Sequence, residues 1–401
     1  MPKSKSKGPA KPAPARAPAQ PAKIVAWPGA PDAAKANKAQ QRSLASIKTA
    51  AEGAAVHLAS EGLASDVTLY VPTGSTMLDL LLRGGVPVGR IIEIYGREGV
   101  GKTTIVAHVI ANVQRLGGRA VLIDSEASFY MKRAKRIGVN AAGYGLEVMP
   151  VKTMEEGFAL IYKDAARFTK DFPGVPSVIV WDTIAAAPTQ DEYEAILKGK
   201  AKYAAGMAAK ARELRRQMRV LANWLVEYNV ALVMVNQVSE GMAKGGMPAP
   251  DKSSGGLAIK FHSSSRLEMK RGMEDPEFGQ LVEARRKKCK LDGAETRDWR
   301  VKFYIGPDGI NDRISMLRYL IDDCPKQTFV RQKGAWLSFD IDGTEHKSYL
   351  RDVGEKIAAR VPDFDERLAQ AVREQFLTGT AAVVEPERES EDEEETEGEE
   401  S

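Results

Sequence analysis

Residues 91–104 read Ile91-Ile92-Glu93-Ile94-Tyr95-Gly96-Arg97-Glu98-Gly99-Val100-Gly101-Lys102-Thr103-Thr104. The first five form an apolar, β-branched run of strand length. The last three open a helical pattern over 102–116 that Gly117-Gly118 ends. Between strand and helix, Gly96 to Thr103 fits G-x-x-x-x-G-K-[ST] in full. Each residue type has a physical reason. Glycines let successive backbone N–H groups turn inward around phosphate oxygens. Lys102 reaches the β- and γ-phosphates, the Thr103 hydroxyl is a Mg²⁺ ligand, and Thr104 carries the loop into the helix. Strand before and helix after are what this mechanism requires, and they outweigh a ligand-free glycine turn.

Outward from this stretch, short apolar strands alternate with helical segments. The strands are AVLID (120–124), LEVMP (146–150), SVIVWD (177–182) and VALVMVNQ (230–237), and helical patterns cover 153–170 and 205–228. Continuous β-branched runs separated by helices predict an α/β fold with a mostly parallel sheet covered on both faces. SRLEMK, VEARRKKCKL and WRVKFYIG then predict further strands, antiparallel ones. Residues 313–383 are expected to form a small separate domain with a helix around 365–376, and the ATPase-type core to span 71–312. Upstream, Leu44, Ile47, Ala51, Ala54 and Leu58 give an amphipathic helix within 34–70. It packs on its own domain or on a neighbouring subunit; the pattern leaves both open.

The chain has 401 residues and a formal net charge of +4. That near-neutrality conceals three blocks: +7 over residues 1–40, −10 over 384–401, and +7 for the body between. The Pro/Ala/Lys-rich stretch 1–33 and the acidic end are expected to be disordered, because neither buries enough apolar surface to offset ordering entropy. A basic body remains compatible with a polyanionic partner. Two cysteines, Cys289 and Cys324, without C-x-x-C spacing argue against a disulfide scaffold or a cysteine-rich zinc site. No run of 18 apolar residues and no signal peptide is present, so a cytoplasmic protein without a membrane span is expected.

Three further residues are candidates for the phosphate chemistry. Asp182 ends an apolar strand about 80 residues after the loop, where a carboxylate orients Mg²⁺; an aspartate there is also a common turn former. Glu126 follows the 120–124 strand, placed either to take a proton from an attacking water or simply to favour a helix N-terminus. Gln237 ends another strand ahead of a Gly-rich, Lys-bearing stretch. It is either a γ-phosphate sensor next to a switch loop or a capping amide.

Taken together these pieces resemble the RecA family of bacterial and phage recombinases. The resemblance rests on TGSTMLDLLLRGGVPVGRIIEIYGREGVGKTT, AVLIDSE, VIVWDTIAA, VMVNQ, SSGGLAIKFHSSSRL, YIGPDGIN and KGAWLSF, in order and spacing, and on the acidic tail. It implies a RecA-type P-loop core with an N-terminal polymerisation helix and a small α/β C-terminal domain. The implied activity is ATP-dependent homologous recombination on a helical filament. ATP and Mg²⁺ are the implied cofactors; single-stranded DNA, homologous double-stranded DNA and further copies of the chain are the implied partners. By the same resemblance Glu126 activates water, Asp182 lies on the Mg²⁺ side and Gln237 senses the γ-phosphate. Lys288 and Lys290 reach the neighbour's ATP. Residues 191–206 and 238–254 form two DNA-binding loops. Met207, Arg212, Arg219, Lys244, Lys252, Gly255 and Gly256 fall on DNA-facing positions. Phe261 matches a subunit-contact aromatic, although a buried core position is the simpler expectation. The four histidines are given no role.

The sequence departs from the family after Glu126. Tyr130 stands where the family has an adenine-contacting Asp, and Arg133 where it has a Tyr that packs on the base. Either can still stack on a base. Two rival readings share the phosphate chemistry: a ring-forming RecA-fold DNA motor or helicase, and a non-hydrolysing DNA-coating protein. The lysine pair disfavours the first, and the intact Lys102, Thr103, Glu126 and Asp182 set disfavours the second.

Overall fold

The computed structural model describes residues 67–142, 146–171, 175–199, 203–242, 248–253, 256–291 and 299–378. The basic arm, the 34–62 helix and the acidic tail expected from the sequence lie outside these residues.

The chain opens with β1 (Tyr70–Val71), α1 (Thr76–Leu81) and β2 (Val86–Pro87). The strand–loop–helix unit follows as β3 (Ile91–Gly96) and α2 (Lys102–Arg115). Then come β4 (Arg119–Asp124), α3 (Met131–Ile137), β5 (Leu146–Pro150), α4 (Met154–Asp171), β6 (Ser177–Asp182), α5 (Gln190–Leu197) and α6 (Tyr203–Tyr228). β7 (Val230–Met242) and β8 (Pro248–Ser253) precede α7 (Gly256–His262), β9 (Ser265–Asp275), β10 (Gly279–Cys289), β11 (Trp299–Gly306) and β12 (Gly309–Ile310). The C-terminal part holds α8 (Asp312–Arg318), β13 (Val330–Lys333), β14 (Trp336–Ile341), β15 (Thr344–Tyr349) and α9 (Phe364–Thr378).

The large sheet runs in the order β12-β11-β10-β9-β3-β7-β6-β4-β5, with β8 attached to β7. All pairs from β9 through β3 to β5 are parallel, while β9 to β12 pair antiparallel, as the sequence predicts. β3, β4 and β6 are buried on both faces, which is why they are almost continuously apolar, whereas the edge strand β5 is only partly covered. Alternate residues serve opposite layers. Ile92, Ile94, Leu122, Val180 and Val233 pack toward α2. Ile91, Ile123, Trp181, Leu232 and Met234 pack toward α4 and α6. On α6 the buried residues Leu214, Met218, Leu221 and Leu225 recur at helical spacing, which fixes the opposite face as the solvent side.

The C-terminal part has its own three-stranded sheet, in the order β13-β14-β15. Its core does not stand apart, however. Leu337, Phe339, Phe364, Leu368 and Val372 belong to the same apolar cluster as Met77, Val109 and Ile110. Polar contacts reinforce the joint: Asp312 accepts from the Thr76 backbone N–H and hydroxyl, both at 2.7 Å, and Arg313 forms a two-pronged pair with Asp365 at 2.6 Å.

Two stretches expected to be loops carry regular backbone. Residues 190–197 form α5, started by the Thr189 hydroxyl accepting from Glu192 N–H. β7 runs on past Gln237 and pairs antiparallel with β8, Val238 opposite Ser253 and Met242 opposite Pro248. Its pairing is a matter of backbone ladder bonds, and the sequence there shows no apolar alternation to announce it.

Candidate nucleotide site and neighbouring surfaces

The register of the parallel sheet builds the site. Gly96 lies opposite Gln237, and Asp124 lies opposite Asp182. β3, β4 and β6 therefore end near one level, with Gln237 of the longer β7 beside them, and the residues there converge on a single cleft of about 320 Å³, a size in the range of small-molecule sites. The turn into α2 depends on glycine. Gly101 has φ +98°, and a Cβ there would collide with the Ile305 side chain on β11. A Cβ on Gly96 would strike the Met269 carbonyl on β9. The loop thus lies tight against strands far away in sequence.

Lys102 is buried at the head of α2 and donates to the carbonyls of Gly96 (2.9 Å) and Arg97 (2.7 Å). Burial lowers its pKa, and the charges of Asp182, Glu126 and Glu98 oppose that shift. The Thr103 hydroxyl donates to Asp182 Oδ2 at 2.8 Å. Burial raises the Asp182 pKa against this hydrogen bond. A hydroxyl and a carboxylate oxygen in contact beside a phosphate loop are the donor set that Mg²⁺ takes, so these residues fit that ion. Gln237 Nε2 donates to Glu126 Oε1 at 2.7 Å. Partial burial and the Asp182 charge raise the Glu126 pKa, with Lys102 pulling the other way.

The cleft therefore gathers Glu98, Gly99, Gly101, Lys102, Thr103, Thr104, Glu126, Asp182 and Gln237, and at its other end Tyr130 and Arg133. Gly96, Arg97 and Val100 complete the loop backbone around it. Arg133 Nη2 donates to the Gly306 carbonyl (3.2 Å) at the end of β11. Tyr130 is 64% exposed at the rim.

Other candidates sit away from the cleft. Lys288 donates from Nζ to the carbonyls of Lys260 (2.7 Å) and Phe261 (2.9 Å), and Lys290 Nζ reaches the Phe261 carbonyl at 3.1 Å. Both amines thus rest on the C-terminal end of α7, the electronegative end of a helix. Phe261 is 60% exposed, which overturns the core expectation for it and leaves the ring available for contact. Arg212 and Arg219 are exposed on α6 together with Arg215 and Arg216. Arg219, Lys288 and Lys290 all lower the pKa of His262, after its partial burial, so α6 and β10 present one basic zone around α7. Met207 falls within α6, Lys252 on β8 and Gly256 at the start of α7. Lys244 and Gly255 lie outside the described residues.

Sequence reasoning missed the supports of the site. Asp124 accepts from the backbone N–H groups of Glu126 (3.3 Å), Ser128 (3.2 Å) and Phe129 (3.2 Å), folding the segment that presents Glu126. Glu93, Asn236 and Arg266 form a buried trio across β3, β7 and β9. Asn236 donates from Nδ2 to Glu93 Oε1 at 2.8 Å, Arg266 pairs with Glu93 Oε2, and Asn236 Oδ1 accepts from the Gln237 backbone N–H at 3.0 Å. Lys210 ties α6 to the segment after Asp182 through the carbonyls of Ala185 (2.6 Å) and Ala187 (2.9 Å). The trio did leave a signal: Glu93 and Asn236 are polar residues inside otherwise apolar strands.

A phosphate loop at the carboxyl ends of a parallel sheet, facing a strand-end aspartate and a following glutamate, defines a P-loop nucleoside-triphosphatase of α/β architecture. Residues 38–292 match the family model described as the RecA N-terminal domain. The chain is 32% identical to Protein RecA of Ruminococcus albus over 77% of its own length and 74% of the relative's. It is 31% identical to Protein RecA of Saccharopolyspora erythraea over 81% and 92%, and 30% identical to that of a Nostoc species over 78% and 82%. The chain belongs to the RecA family, and that membership makes it an ATPase.

Proposed function

We propose that this chain is an ATP-dependent recombinase that polymerises on single-stranded DNA and promotes pairing and strand exchange with a homologous duplex. The observation that carries the reading is the alignment of the β3, β4 and β6 ends with Gln237 of β7, which brings Lys102, Thr103, Asp182, Glu126 and Gln237 to one cleft. In this reading Lys102 leaves the loop carbonyls for the β- and γ-phosphates, and the loop N–H groups hold the remaining phosphate oxygens. Thr103 and Asp182 hold Mg²⁺, which supplies charge neutralisation between the phosphates. Glu126 accepts the proton of the attacking water. Its raised pKa suits a base that works near neutrality. Gln237 exchanges its bond with Glu126 for one with the γ-phosphate and so transmits nucleotide state along β7 to the β7–β8 hairpin.

Lys288 and Lys290 lie outside their own cleft and complete the cleft of an adjoining subunit, with Phe261 and α7 in the junction. Arg212 and Arg219 face the DNA backbone, so binding is salt-dependent and largely indifferent to sequence. Homology is then tested by base pairing. Among the described residues no helix is long and apolar enough to cross a membrane.

A strand-exchange assay with ATP, Mg²⁺ and single-stranded DNA tests the whole reading. Exchange products together with DNA-stimulated hydrolysis are expected. Hydrolysis accompanied by closed rings in electron micrographs, and no exchange, would replace it with the ring-motor reading. DNA coating without hydrolysis would replace it with the scaffold reading.

A further inference from the structure

The cleft has two chemically different ends. Its carboxylates and its one side-chain amide gather at the phosphate end, where Lys102 feels the charges of Asp182, Glu126 and Glu98 and Gln237 is bonded to Glu126. The other end is lined by Phe129, Tyr130, Arg133, Ala134 and Ile137, with no carboxylate or side-chain amide among those residues. In the proposed reading, a triphosphate held in the loop points its base toward this second end.

The groups waiting there favour one kind of base edge. A guanidinium carries five donors and no acceptor. Guanine and hypoxanthine present two adjacent acceptors, O6 and N7, whereas adenine presents N7 beside the donor N6–H₂. Arg133 is half-buried and tethered through Nη2 to the Gly306 carbonyl at the end of β11. Tyr130, at the rim, offers an aromatic face that stacks on any purine without reading its edge. With no carboxylate or amide among the side chains named at this end to accept from N6–H₂, those side chains have little means of rejecting the 6-oxo analogue.

We propose that Arg133 selects the base and that the cleft accepts 6-oxopurine triphosphates, GTP and ITP, as readily as ATP. This rests on the cleft being the nucleotide site, and it adds the base class that site takes.

The test is competition of ATP, GTP and ITP against a fluorescent ADP analogue on the full chain with Mg²⁺, with and without single-stranded DNA. GTP and ITP should bind within threefold of ATP or more tightly. ATP preferred over either by more than threefold overturns the proposal. Arg133→Gln keeps a donor for the Gly306 carbonyl and gains the acceptor that pairs with adenine. It should move the GTP-to-ATP ratio toward ATP by about tenfold, and an unchanged ratio removes Arg133 as the selector. A mere loss of packing would weaken all three nucleotides together and leave the ratio alone. Lys102→Ala separates the two claims. If all three nucleotides still bind that variant, the cleft is not the nucleotide site and both claims fall. If binding needs Lys102 but ATP alone is bound, only the base proposal falls.

Discussion

The cleft and the lysine pair on β10 make an instructive contrast. In the cleft, Lys102, Asp182 and Glu126 already have partners within the same subunit: Lys102 on the loop carbonyls, Asp182 on Thr103, Glu126 on Gln237. Lys288 and Lys290 are equally well placed, but on the end of α7, with Phe261 exposed beside them. One region is a phosphate cradle; the other is a pair of amines held on backbone carbonyls at the end of α7, outside that cradle. Under the proposed function, the difference separates the groups a subunit uses on its own triphosphate from those it offers to a neighbour's.

The sharpest way to break that division is Lys288→Ala combined with Lys290→Ala. If the pair acts on a neighbour's triphosphate, DNA-stimulated hydrolysis falls by about 10³-fold or more, on the scale of an arginine finger. Nucleotide binding by the isolated subunit should hardly change. Equal losses in binding and turnover would place the lysines in their own cleft's chemistry and end the contrast. Glu126→Gln tests the cleft side. Turnover should drop by about 10²–10⁴ with binding retained, as expected for loss of a general base. The base works ionised and its pKa is raised, so in the parent chain the acid limb of the pH–rate profile should lie above the ordinary carboxylate range. A limb at the ordinary glutamate value would point to another base.

Next in size is the buried trio behind the sensor. Glu93→Gln leaves Arg266 buried without its counter-charge and should cost about 3–5 kcal/mol of stability, read by denaturant unfolding. Glu93→Gln with Arg266→Met should recover part of that loss. No loss in the single variant would remove the trio as the support for Gln237. The smallest effect concerns the joint with the C-terminal part. Burial pushes the Asp79 pKa up to about 7 and that of Asp312 up to about 6. An acid with a raised folded pKa holds its proton longer in the folded state than in the unfolded one. Stability should therefore decline as pH rises from about 4 to about 7 and level off above. Asp312→Asn should flatten part of that slope in thermal melts, and an unaltered slope would assign it to other groups.

Much of this architecture is legible in the sequence because it is local. A glycine loop between strand and helix, β-branched runs of strand length, and apolar residues at helical spacing along α6 each declare themselves within a dozen residues. The supports are legible only in part because their partners are distant. Glu93 meets Asn236 across 143 positions and Arg266 across 173, and no periodicity encodes such a meeting. Phe261 departs from the core expectation for a related reason. An aromatic on a short helix is normally core, and here the helix turns that position outward. The β7–β8 hairpin escaped notice because Gly, Lys and Ser carry no burial pattern even when their backbones pair.

The rest position of Lys288 and Lys290 has a further consequence for any chain of subunits built this way. If, as proposed, each junction supplies one pair of amines to one cleft, a row of subunits has one cleft fewer completed than it has members. The subunit at one tip would then keep its triphosphate uncut while interior members turn theirs over. Chemical age would run along the polymer from one end to the other, giving it a direction before any other protein touches it.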